Sequence, residues 1–147
     1  GAGMIERILQ WFRVAVPAPD AGSASVQVGC HFEEVLEMAE SLGDEELRCS
    51  LLAAAAGYKA RLDWCVDALA NLRPQDRVAL CDALCDQIVT AVGVGYMLGF
   101  DMQAAMAEVM RSNESKFEYG AAVFNDSGKI AKGRFYTPPD LSGCVGG

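Results

Sequence analysis

The sequence predicts an all-α protein: a helical bundle of about four to five helices followed by a short irregular or β C-terminal tail. Apolar residues recur every three to four positions over long stretches, the spacing of helices that bury one face. Gly43, Pro74 and Gly99 fall between those stretches rather than inside them. Turn-forming residues crowd the chain at Pro17 to Ser23 and again after Tyr119. At 147 residues and 52% hydrophobic, the chain suits one domain with a core of its own.

The elements follow in order. Gly1-Ala2-Gly3 reads as an expression scar ahead of Met4. The first helix runs from Met4 to about Val14, with Ile5, Ile8, Leu9 and Phe12 on one face. A linker, Pro17 to Ser23, precedes a second helix from about Ser25 to Leu42, which Gly43 stops. A third is expected from Asp44 to Leu72, its run Ala53 to Ala56 allowing close approach of a neighbour. Pro74 opens a fourth, where a missing N–H costs nothing and Asp76 suits the positive end of the dipole. It continues to about Leu98. Asp101 is the expected N-cap of a fifth helix ending near Tyr119. The helical domain is thus residues 4–119, and residues 120–147 form the tail. In that tail Asn125-Asp126-Ser127-Gly128 is placed to turn a hairpin between Val123-Phe124 and Lys129-Ile130.

Composition excludes several classes. No signal peptide is expected, because Glu6, Arg7 and Arg13 interrupt the first apolar segment. No apolar run is free enough of charge to suggest a membrane span or a membrane partner. Six cysteines without a C-x-x-C pair read as reduced thiols of a cytoplasmic protein. A zinc site does not fit this spacing and a single histidine, His31. The net charge of −8 argues against a nucleic-acid backbone as partner.

The informative segment is HFEEVLEMAE. At about 100° per residue, Glu33, Glu37 and Glu40 lie within roughly 60° of one another, with Glu34 at the rim. Val35, Met38, Ala39 and Leu42 form the stripe expected to face the core. Like charges this close repel. Either solvent screens them or a divalent cation with hard oxygen ligands offsets them. The fourth helix is apolar almost all round and is expected to be buried, yet Asp82 and Asp86 lie on one of its stripes. Buried carboxylates need a cation: a metal, or a base such as Lys59, Arg61 or Arg111. A di-iron site of the ferritin type requires Glu-x-x-His on two helices, which His31 does not supply.

The Glu-Glu-x-x-Glu motif at Glu33, Glu34 and Glu37, with acids on a later core helix, resembles the all-α MazG-like nucleoside triphosphate pyrophosphohydrolases. The resemblance covers roughly Val26 to Leu141. It extends to Asn113 and Lys116, which match an Asn-x-x-Lys motif that helps hold the nucleotide, and to the tail through Gly128-Lys129, Lys132-Gly133 and Tyr136 to Asp140. It departs at the second motif, where the family's Glu-x-x-Asp becomes Asp82-x-x-x-Asp86; Asp86 fits the aspartate position, and Asp82 falls one residue early. The texture is similar to the MazZ branch, phage diphosphohydrolases that convert dGTP to dGMP.

The resemblance implies a bundle in which Glu33, Glu34, Glu37, Asp82 and Asp86 hold two or more Mg2+ or Mn2+ ions. It implies water attack at the α-phosphorus, with Glu33 or Glu34 orienting or deprotonating the water. Asn113, Lys116, Lys129 and Lys132 are the candidate substrate contacts, and a homodimer or homotetramer is the expected assembly. Within the class the rival is a house-cleaning or dUTP/dCTP-directed pyrophosphatase. Outside it, the rival is a non-catalytic helical interaction module with an acidic face. Lys116 and Asn113 also suit plain roles as a helix C-terminal cation and a surface amide.

Overall fold

The computed structural model of the chain describes residues 3–126 and 129–147; the expected scar residues Gly1 and Ala2 and turn residues Ser127 and Gly128 lie outside the described residues. The protein is all-α. Its helices are α1 (Met4–Ala15), α2 (Ala21–Ser41), α3 (Glu45–Lys59), α4 (Asp63–Ala70), α5 (Pro74–Met97) and α6 (Met102–Glu114), with a 3-10 turn at Ser142–Cys144. Among the described residues the only β pairing is two isolated bridges, Glu118 with Ala121 and Phe124 with Ile130. The chain divides into two compact units, Ala18–Ala79 and, together, Gly1–Pro17 with Leu80–Gly147.

In the unit Ala18–Ala79, α2 and α3 form a helical hairpin across Gly43, which takes φ 72° at the turn. Asp20 starts α2 four residues earlier than the sequence suggests. Its carboxylate accepts from Ser23 N while Ser23 Oγ accepts from Asp20 N, a reciprocal cap that pulls the supposed linker into the helix. Asp44 caps α3 by accepting from Leu47 N at 3.1 Å. The core seam is Ser25, Gly29, Leu36 and Ala39 of α2 against Ala55 of α3, with Cys65 of α4. Ser25 is fully buried and its hydroxyl donates to the Tyr58 carbonyl. Phe32, Tyr58 and Trp64 meet edge to face along the same side.

Two expectations change here. Of the stripe Val35, Met38, Ala39 and Leu42, only Ala39 is buried; Met38 and Leu42 are exposed, and the seam rotates toward Leu36 because Gly29 and Ser25 set the closest approach. The single third helix is two helices. Arg61, at φ 55°, reverses the chain between α3 and α4 with no glycine or proline to announce it.

In the other unit α1 lies on α6. Trp11 Nε1 donates to the Asn113 carbonyl at 2.8 Å, and its ring stacks on Phe117. Arg7 makes a paired contact with Glu114. The buried side of α1 is Ile8, Trp11, Phe12 and Ala15, while Ile5 and Leu9 face outward. Asp101 caps α6 as expected, accepting from Ala104 N. The tail returns along α6: Ser112 Oγ donates to the Thr137 carbonyl, Arg111 reaches Thr137 and Pro138, and Asp101 N donates to the Cys144 carbonyl. The expected hairpin exists as the Phe124–Ile130 bridge, flanked by Asn125 N to Lys129 O and Ala131 N to Val123 O.

The largest departure is α5. From Arg77 to Val92 every residue is exposed in the single chain, Leu80, Leu84, Ile88, Val89 and Val92 included. A helix apolar almost all round was expected to be buried; the described residues do not cover it. α5 is also long and apolar enough to cross a membrane by length and composition, whereas the sequence reading expected no run of that kind.

Candidate functional site

The acidic face of α2 forms as its spacing dictates. Glu34, Glu37 and Glu40 are exposed on α2, beside the seam by which it packs on α3. Glu33 differs. It is half-buried, and Lys59 Nζ donates to its Oε1 at 2.5 Å. Lys59 belongs to the last turn of α3, and its stem runs over Gly29. A Cβ at Gly29 would sit 2.4 Å from Lys59 Cγ and 2.8 Å from the Ala55 carbonyl oxygen. Gly29 is therefore what lets Lys59 reach Glu33. His31, two residues before Glu33, is exposed.

Asp82 and Asp86 share one stripe of α5, as four-residue spacing requires, but both are exposed in the single chain. The burial that made a cation necessary for them is absent, and that part of the sequence argument is withdrawn. They belong to the unit containing Leu80–Gly147, whereas the glutamates belong to Ala18–Ala79. Among the described residues no three His, Cys, Asp or Glu side chains are gathered closely enough to hold a metal ion. The donors are nonetheless the hard oxygens that Mg2+ and Mn2+ select, carried on rigid helices. Cys81 and Cys85 each precede one of the aspartates, and the Cys85 thiol is pushed above its ordinary range, first by Cys81 one turn earlier.

The substrate candidates gather where α6 ends. The Asn113 carbonyl holds the Trp11 indole, and its side-chain nitrogen lies 3.9 Å from Met110 Sδ, a weak acceptor. Lys116 Nζ sits 5.9 Å from the Trp11 ring centroid. The tail passes beside it: Gly133 N donates to the Lys116 carbonyl, and Lys132 Nζ lies 5.0 Å from the Tyr136 ring centroid. Lys129 is exposed at the base of the hairpin, its N–H donating to Asn125 Oδ1. Asn113, Lys116 and Lys132 are thus brought to one end of one unit.

The carboxylates that bind tightly here are others. The Arg7 guanidinium holds the Glu114 carboxyl below its ordinary range. Arg111 does the same to Glu108, helped by the Asp140 N–H, which anchors the tail to α6. The sequence reading missed Lys59 as the partner of Glu33, and missed Gly29, whose signal was a glycine opposite the alanine run. Comparison with family models, with curated proteins and with solved structures finds no match to this chain.

Proposed function

We propose that the chain is a metal-dependent nucleoside triphosphate pyrophosphohydrolase, releasing a nucleoside monophosphate and pyrophosphate, with dGTP or GTP as preferred substrate. The observation that carries this reading is the acidic face of α2. Three exposed glutamates and a fourth held by a lysine of α3 stand on a helix fixed by its packing on α3. Rigid presentation of several carboxylates is what a divalent-ion site needs. Glu33, Glu34 and Glu37 are the proposed ligands on this face; Asp82 and Asp86, on α5 in the other unit, are a separate pair of candidates. Two or more Mg2+ or Mn2+ ions would supply charge neutralisation at the phosphates and a more acidic water.

The chain's own residues then divide the work. Glu33 or Glu34 accepts the proton of the water that attacks the α-phosphorus, and pyrophosphate leaves. Asn113 bonds to phosphate or sugar. Lys116, Lys129 and Lys132 meet phosphate oxygens as point charges. A second copy of the chain covers α5, giving a homodimer or homotetramer in the cytoplasm.

The test is a nucleotide panel with Mg2+ or Mn2+ and product analysis, which reports base, sugar and the bond cleaved. Guanine nucleotides converted to monophosphate and pyrophosphate support the reading. Preference for dUTP or dCTP keeps the chemistry and moves the chain to a house-cleaning role. No turnover with any nucleotide rejects it. A second reading, a non-catalytic helical interaction module, is favoured by one observation: the exposed apolar α5. Titration with Mn2+ separates the two, since the module binds none.

A further inference from the structure

Just past α6 the chain makes a two-residue reverse turn, Glu118-Tyr119-Gly120-Ala121. Glu118 and Ala121 exchange both backbone hydrogen bonds, and Tyr119 and Gly120 take φ 53° and 78°. Such a turn needs positive φ at both central positions and favours asparagine, aspartate or glycine at the first. A tyrosine there is strained, and strain of this kind is kept where the side chain has work to do. Tyr119 contributes little to the core, since it is 85% exposed.

The surroundings are built rather than loose. Gly133 lies so close that a Cβ there would sit 2.7 Å from Glu118 Oε2 and 2.8 Å from the Lys116 carbonyl oxygen. Arg134 N donates to the same Glu118 carboxylate at 3.0 Å. This clamp sets the Phe135 ring edge-on to Tyr119, centroids 5.5 Å apart. Arg134 lies over the Phe135 ring at 5.4 Å, and Lys132 over Tyr136. From residue 129 to 136 the chain carries Lys129, Lys132 and Arg134 and no acid, in a protein of net charge −8. Exposed rings with adjacent cations, on an otherwise acidic chain, are complementary to a ligand that is both aromatic and anionic.

We propose that the exposed Tyr119 ring, braced edge-on by Phe135, stacks on the base of a nucleotide, with Arg134 and Lys132 taking its phosphates. This rests on the nucleotide reading above and adds the residues that hold the base. Stacking uses the ring face and not the hydroxyl, so Tyr119→Phe retains it and Tyr119→Gly removes it while relieving the turn.

The experiment is calorimetric binding of a non-hydrolysable α,β-imido dGTP and of inorganic tripolyphosphate to the full chain with Mg2+, for the parent, Tyr119→Gly, Tyr119→Phe and Arg134→Ala. Tyr119→Gly is expected to melt no lower than the parent, to bind the analogue about ten-fold or more weakly, and to bind tripolyphosphate unchanged. Tyr119→Phe matches the parent, and Arg134→Ala weakens both probes. Parent-like binding of the analogue by Tyr119→Gly overturns the stacking and leaves the nucleotide reading standing. No binding of the analogue by the parent overturns both.

Discussion

Lys59 crosses from α3 to α2 and donates from Nζ to Glu33 Oε1 at 2.5 Å, over a notch that only the missing side chain of Gly29 leaves open. The first glutamate of the acidic face therefore already has a cation. A metal that takes Glu33 shares it with Lys59 or displaces the ammonium. Lys59→Met is expected to leave helicity intact and to cost less than about 1 kcal/mol, because the pair is partly exposed. It is also expected to tighten Mn2+ binding, read by calorimetry. Unchanged Mn2+ affinity would remove Glu33 from the ligands.

Gly29→Ala tests the notch itself. The added methyl meets backbone at the Ala55 oxygen and Lys59 N, each at 2.8 Å, so α2 and α3 must move apart. Overpacking of this kind costs about 1–3 kcal/mol. A melt followed by circular dichroism should fall by roughly 3–9 °C. A parent-like melting temperature would mean that the hairpin is looser than described.

Glu37→Gln removes one charge from an exposed position of α2 and leaves its shape. Helicity and melting temperature should hold, while nucleotide hydrolysis with Mg2+ should fall at least about 100-fold, as loss of a ligand to a catalytic ion does. Full activity in this variant ends the carboxylate assignment.

The apolar surface of α5 carries a prediction about assembly. Ile88 is 52% exposed in the single chain, one turn from Leu84. A contiguous apolar face of this length marks an interaction surface. The protein should sediment as a dimer or tetramer, and Ile88→Lys should shift it toward 15.7 kDa. A parent chain already sedimenting at that mass refutes covering by a second copy; co-flotation with lipid vesicles would give α5 to a bilayer instead.

Acid sensitivity follows from the pair at the end of α6. Arg7 depresses the Glu114 carboxyl, and Arg111 depresses Glu108. A carboxylate with a lowered folded pKa contributes stability that is complete above its unfolded value and is lost as pH falls through the folded one. Stability should hold at neutral pH and decline below about pH 4.5, the ordinary glutamate value. Glu114→Gln should flatten that decline in thermal melts across pH. An unchanged slope would mean that Arg7 does not hold Glu114 in solution.

Much of the fold was legible because it is local. Asp44, Pro74, Gly99 and Asp101 mark helix ends by their own backbone chemistry, and the structure keeps those ends within a residue or two. The start of α2 was misplaced because Ser23 looked like linker until its hydroxyl was paired with Asp20. The break at Arg61 was invisible because nothing in its side chain asks for positive φ. The acidic face was legible too, since helical spacing alone puts Glu33, Glu37 and Glu40 side by side.

Local chemistry by itself determined the helices, their caps, and which acids share a stripe, because those depend on neighbours a few residues away. Tertiary structure decided which stripe was covered and which charge found a partner. Glu33 met Lys59, 26 residues on, through a glycine notch, and Asp82 and Asp86 stayed exposed on a helix that hydropathy alone would have buried. Burial and ion pairing are properties of what packs alongside, and periodicity records only what a helix offers.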